Sequence, residues 1–181
     1  MHRGNALDLM QTIHDLIDFR SFSNLWYWIA LAAIWSTASH RVLGIPFDMV
    51  MRARRLGGAA EQDLQDIVRV HVARILYIGR EAGVILMAML SFALTSLALL
   101  GFIYRVEFCQ AVFLIALPLS IVALLSLTTA ARIEERDEQG EALRRRLSMH
   151  RIMVQAIGIV SILITAFWGM LQNMNVSILP G

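Results

Sequence analysis

Lysine is absent from this 181-residue chain: all sixteen basic residues are arginine, set against fourteen acidic ones for a formal net charge of +2. A balance this even, with acids interleaved among the arginines, cancels the field that a phosphate backbone requires, so nucleic acid is not the expected partner. Cysteine occurs once, at Cys109, which excludes an internal disulfide and any CxxC metal or redox site. Charge of either sign is scarce at 17% of residues, against roughly 25% in soluble domains. Internal repeats and low-complexity tracts are lacking. So are a Gly-rich phosphate loop, a Ser/His/Asp arrangement and a carboxylate pair of stated geometry.

What is present in excess is apolar. Such residues make up 57% of the chain and the mean hydropathy is +0.61, above the roughly 45–50% of a soluble domain, and the surplus fits a bilayer. Hydrocarbon about 30 Å thick is crossed by about 20 helical residues. Four uncharged runs of about that length appear, at 21–39, 82–104, 108–131 and 152–171. Only helices satisfy their backbone polar groups alone in lipid, and the alternating ten-residue segments of a barrel are missing. The expected fold is therefore all-α, an integral-membrane four-helix bundle forming a single domain over 1–181.

Arginine placement predicts orientation. The connections 40–81 and 132–151 hold seven and six arginines, whereas Arg3, Arg20 and Arg105 are the three elsewhere. Thirteen against three puts both long connections in the cytoplasm and both termini in the periplasm of a bacterial inner membrane. Trp26, Tyr27, Trp28, Tyr104, Phe108, Phe167 and Trp168 fall where an outer aromatic belt forms.

The first 20 residues lack the apolar core and A-x-A site of a cleavable signal. Leu7, Met10, Ile13, Leu16 and Ile17 recur at helical spacing, predicting an amphipathic helix lying on the outer surface. Between the first two spans, Pro46 can open a helix and Gly57 with Gly58 can end it. A second helix follows, with Leu64, Ile67, Val68, His71, Ile75 and Ile78 on one face, able to run into the second span. The segment 132–151 reads as a helical hairpin or a charged docking surface.

Candidate contacts with anionic lipids or a protein partner are Arg52, Arg54, Arg55, Arg144, Arg145 and Arg146, since each arginine near an anionic surface contributes about 1 kcal/mol. Ser161, Thr165 and Gly169 recur every four residues, a small-residue stripe that permits close helix approach within the chain or to another subunit. Pro118 should kink the third span and leave the Leu114 carbonyl without its helical partner. No ionisable residue lies inside any of the four runs, which argues against a pump or ion-coupled carrier. His40, His71 and His150 gather toward the inner interface, where a haem or metal site is conceivable, but no H-x-x-x-H or E-x-x-H pattern accompanies them. They read as interfacial polar residues, so neither catalytic residue, metal nor cofactor is assigned. Arg105 and Glu107 read as anchors of the outer turn. Cys109, near the outer interface with no basic neighbour to lower its pKa, reads as inert.

The segments IDFRSFSNLWYWIALAAIWSTASH, VLGIPFDMVMRAR, LLGFIYRVEFCQAVFLIALPLS and GMLQN resemble a family of small four-span membrane proteins of Rhodobacter-like alphaproteobacteria, whose members often carry the label "component of SufBCD complex". The resemblance implies partnership with a cytosolic iron–sulfur assembly scaffold and brings no catalytic motif with it. The functional expectation is a non-catalytic accessory, assembly or scaffold subunit of an inner-membrane complex, partnered by a membrane protein or by copies of itself. The alternatives are a small channel or lipid-handling protein lined by Ser, Thr and Gln, and a haem protein using the inner histidines.

Overall fold

A computed structural model describes residues 25–177, with side chains through Met174. The expected outer helix of 1–20 and the opening of the first apolar run lie outside the described residues. The described residues are all-α apart from one hairpin of two-residue strands. The order is α1 (Leu25–His40), β1 (Arg41–Val42), β2 (Ile45–Pro46), α2 (Phe47–Leu56), α3 (Gly58–Ala98), a π-helical turn (Leu99–Ile103), α4 (Glu107–Arg136) and α5 (Gly140–Ser177).

Among the described residues three helical segments are long and apolar enough to cross a membrane: Gly58–Ile103, Glu107–Arg136 and Gly140–Met174. The described part of α1 has 16 residues, about 24 Å at 1.5 Å per residue, and is shorter than these. The helices overrun the apolar runs that the sequence marks. α3 with its π-turn counts 46 residues, about 69 Å at the same rise, so its first half projects from hydrocarbon before the apolar stretch at 82 begins. α4 starts at Glu107 and continues past Arg132, and α5 starts twelve residues before Ile152.

The helices follow one another as neighbours, α3 on α4, α4 on α5, and α5 on α1. The Tyr27 hydroxyl of α1 donates to the Ala111 carbonyl at 3.3 Å and neighbours Thr165. Trp35 meets Gly158, and Ala38 and Arg41 share a cavity wall with His150 and Val154. α1 therefore runs antiparallel to α5. Its described start lies at the end that holds the 104–106 turn and the end of α5.

The densest burial is at the opposite end. Val42, Leu43 and Ile45 of the hairpin, Val50 and Ala53 of α2, and Leu64, Val68, Val72 and Leu76 of α3 join Ala130, Ile133, Leu143 and Leu147 in one cluster. Burying each large aliphatic side chain contributes about 1.5–3 kcal/mol. The buried face of α3 follows 60, 64, 68, 72 and 76. The sequence expectation was centred one position away, and the correction is that Ile67, His71 and Ile75 flank the face while Ile78 is exposed. The spacing 64/68 fits both registers, and the choice is made by where α2 and α4 lie.

Local geometry brings these parts together. Leu43 and Gly44, at φ +53° and +85°, make a tight reversal of the primed type that suits a two-residue hairpin. Leu43 accepts this strained conformation while being buried at 5% exposure. Pro46 precedes α2 as its cap, and Gly57 and Gly58, at φ +59° and +50°, turn the chain so that α2 lies along α3. Asp137 closes α4 in the left-handed conformation, its N–H reaching Glu134 and that of Glu138 reaching the Ile133 carbonyl, a Schellman-type closure. The 132–151 segment is thus a helical hairpin.

α5 buries one stripe along its whole length: Leu143, Leu147, His150, Val154, Gly158, Ser161, Thr165 and Gly169. At Gly158 the fit to α1 is closest, because a Cβ there would stand 2.8 Å from Trp35 Cε3. Gly83 of α3 has nothing within 4 Å of a Cβ. Gly158→Val is therefore expected to destabilise by about 1–3 kcal/mol through overpacking. Gly83→Ala should be neutral or stabilising by up to about 1 kcal/mol, since Gly is the costlier residue in a helix. Thermal unfolding of the two variants in one detergent checks this contrast, and equal midpoints would refute the α1–α5 contact.

Candidate functional site

Two polar sites repair the backbone along the α4–α5 seam. Pro118 lies inside α4 and has no N–H for the Leu114 carbonyl. Ser161 of α5 donates to that carbonyl at 3.5 Å, a long bond but directed at the acceptor the proline leaves open. Beside it, Leu114, Leu117, Pro118, Ile121, Ile157 and Val160 line an apolar groove of about 380 Å³. Before the turn that joins α3 to α4, the π-helical Leu99–Ile103 segment departs from the regular ladder. Gln110, only 3% exposed, folds back so that Nε2 donates to the Gly101 carbonyl at 2.7 Å. Its Oε1 accepts from Trp168 Nε1 at 3.0 Å and from Gln172 Nε2 at 2.8 Å. Gly101 has to be glycine, because a Cβ would lie 2.9 Å from the Gln110 backbone nitrogen. One side chain thereby ties α3, α4 and α5 together.

The second concentration of polar groups is at the end of the apolar zone that adjoins the hairpin. A cavity of about 470 Å³ is bounded by α1, the hairpin, α3, α4 and α5. Its lining includes Arg41, His71, Arg74, Ser126 and His150, with Ala38, Ile75, Ile78, Val122 and Val154 as the apolar part. His150 is 3% exposed. Ser126 donates its hydroxyl to the Val122 carbonyl at 2.8 Å, so its oxygen accepts from His150 Nε2–H at 3.4 Å, and Thr129 donates to Nδ1 at 3.2 Å. A single neutral tautomer satisfies both contacts. His71 Nδ1 donates to the Ile67 carbonyl at 3.0 Å, leaving Nε2 beside Gly44. His40 is exposed, donates to the Ser36 carbonyl at 2.9 Å and does not line the cavity. Among the described residues no group of three or more His, Cys, Asp or Glu is placed to hold a metal ion.

The six candidate arginines divide. Arg52, Arg54, Arg55 and Arg145 are exposed. Arg144 instead pairs with Glu61 of α3, and Arg146 forks onto Glu138 at 2.5 and 3.0 Å. The correction to a common docking surface is physical. At helical spacing 144 and 146 flank the buried Leu143 and Leu147, so their heads meet acids of neighbouring segments, and Arg145 is turned to solvent. Of the packing stripe, Ser161, Thr165 and Gly169 are all buried, Ser161 against α4 and Thr165 near Tyr27 of α1. Cys109 is half-buried. Arg41, Arg74 and Gln110 were legible in the sequence only as topology markers or polar span residues. Their roles depend on what four other segments bring to them.

Comparison with protein-family models, with curated proteins and with solved structures finds no match for the chain.

Gln110→Leu should lower the unfolding midpoint by the equivalent of about 1–3 kcal/mol, because it strands a buried carbonyl and leaves two donors in need of new partners. Thermal melts with Trp168 fluorescence as a second readout check this, and an unchanged melt would refute the three-helix tie. The Arg146 fork holds the Glu138 carboxyl below the usual carboxylate range, assisted by Arg136 and opposed by desolvation. Its stabilisation is therefore complete above the unfolded-state Glu value of about 4.3 and is lost as pH falls through the lower folded-state value. Glu138→Gln should melt below the parent chain at neutral pH, with the gap closing under acid. A gap independent of pH would contradict it.

Proposed function

We propose that this chain is a non-catalytic accessory or assembly subunit of a bacterial inner-membrane complex. In this reading α1, extended by the residues before it, supplies a fourth crossing, both ends face the periplasm, and the buried cluster of the hairpin, α2 and the projecting part of α3 stands in the cytoplasm. The antiparallel placement of α1 on α5 and the thirteen-to-three arginine split support this orientation.

The observation that carries the proposal is the membrane half of α3. None of its most apolar 18-residue window is buried, whereas 28% of the corresponding window of α5 is. Val84 is 86% exposed and Phe92 76%, and Ser91 and Thr95 are exposed one turn apart. Helices in lipid associate through close packing and polar contacts rather than through hydrophobic burial, and this face offers both a contour and hydroxyls to a second membrane protein. By contrast, Gln110 and Ser161 of α4 and α5 are engaged in contacts between helices or with the adjoining turn, and Ser120 and Thr128 bond carbonyls of their own helix, which favours an assembly role over a Ser/Thr/Gln-lined channel. The apolar groove at Pro118 favours lipid handling as the second reading.

A photo-cross-linking residue at position 92, with one at Phe167 of α5 for comparison, tests the assignment in native membranes. The expected outcome is a discrete protein adduct from position 92, identified by mass spectrometry as another subunit or a second copy. Lipid adducts alone at 92 would refute it. The family resemblance points to the iron–sulfur assembly scaffold for the cytoplasmic side, and probing the purified adduct for those subunits decides that partnership. A reporter fused after Gly181 should behave as external, and a cytoplasmic signal would reverse the orientation.

A further inference from the structure

We propose that the inner-end cavity is a binding site for one anionic phospholipid, with Arg41 and Arg74 holding the phosphate headgroup and the acyl chain lying along Val122 and Val154. The site goes beyond the assembly role and does not depend on it.

Three observations converge. The first is charge. The cavity lining contains two arginines and two histidines and, among the described residues, no carboxylate. Neither Arg41 nor Arg74 makes an ion pair or hydrogen bond among the described residues, whereas Arg69, Arg80, Arg144 and Arg146 all meet acids. A crevice elsewhere on the inner end has the opposite character, being lined by Asp66, Glu134, Asp137 and Glu138. Two cations without acidic partners thus share one cavity, whereas Arg52, Arg54, Arg55 and Arg145 stand exposed outside it. Arginine suits phosphate because its planar fork donates two parallel hydrogen bonds.

The second is depth. Arg41 directly follows the apolar part of α1, Arg74 lies two turns before the uncharged run of α3, and His150 lies just before that of α5. Val122 and Val154 lie inside the apolar runs of α4 and α5. The cavity therefore passes from charged to apolar along the membrane normal, as a phospholipid does. The third is occupancy by protein. His150 is satisfied by Ser126 and Thr129, so it forms the back wall. His71 keeps Nε2 toward Gly44, on the cavity wall. Diffuse attraction of arginines to an anionic surface needs no cavity and no apolar wall. A seated lipid uses both.

The test uses the full chain, purified and delipidated in detergent, titrated with mixed micelles of phosphatidylglycerol or phosphatidylcholine and read by native mass spectrometry. The expected result is saturable binding of one phosphatidylglycerol, with phosphatidylcholine markedly weaker. Arg41→Gln with Arg74→Gln should weaken it by about tenfold or more, as expected for two headgroup-facing arginines. Arg54→Gln with Arg55→Gln, an equal loss of charge on α2 away from the cavity, should leave it unchanged, and Arg41→Lys with Arg74→Lys should retain most of it. Equal loss in the α2 pair, or equal binding of the two lipids, overturns the site. Displacement of the lipid by millimolar inorganic phosphate would assign the cavity to a soluble anion and overturn the lipid. If the glutamine pair does not fold, Arg74→Gln alone on the exposed side of α3 decides: unchanged phosphatidylglycerol affinity in that folded variant overturns the proposal.

Discussion

A backbone that enters hydrocarbon has to satisfy its own polar groups, and the seam between α4 and α5 is where this chain meets that demand after breaking the helical ladder. Pro118 removes one donor and the π-turn after α3 displaces several. An unpaired carbonyl in lipid costs several kcal/mol, so each break needs a neighbour. Ser161 supplies one and Gln110 the other. Both repairs lie on helices that must then stay in register with each other. The burial of Thr165 beside Tyr27 and the seating of Trp35 on Gly158 extend that register to α1.

The end that carries the hairpin and α2 is held differently. There water is available and the hydrophobic effect operates, so a cluster of Val, Leu and Ile closes between the hairpin, α2 and the projecting part of α3. The ion pairs Arg144–Glu61 and Arg146–Glu138 border it. Arg151 lies over the Phe47 ring at 4.0 Å, which links the beginning of the apolar run of α5 to α2. One chain thus combines packing by shape and polar repair in lipid with packing by apolar burial in water.

That division frames the functional reading. Gln110, Ser161 and His150 are engaged in contacts between helices or with a neighbouring turn, Arg41 and Arg74 share a cavity without a carboxylate, and none of the most apolar window of α3 is buried. An assembly role with an ordered lipid at its inner rim accounts for these three placements together. In that proposal apolar α3 offers the lateral contact and the cavity seats the headgroup at the membrane boundary.

Sequence alone determined the helical class and marked four apolar runs, three of which fall in helices long and apolar enough to cross a membrane, because hydropathy and the exclusion of charge act residue by residue along the chain. It also located the Pro118 break and the close-packing stripe at Ser161, Thr165 and Gly169, since both follow from local spacing. Only the tertiary structure decided which partner meets each break. Nothing near Leu114 in sequence announces Ser161, and nothing in LLGFIY announces that Gly101 will receive the Gln110 amide. It also separated arginines that read alike. Arg144 and Arg146 differ from Arg145 by one helical step, and Arg41 and Arg74 from Arg52 by the segments that fold around them. The hairpin at Leu43 and Gly44 was missed because two strand residues on each side leave no alternation to detect. The reason is common to all of these: hydropathy is a property of a segment, whereas a hydrogen-bond partner or a cavity wall is a property of several segments brought together in space.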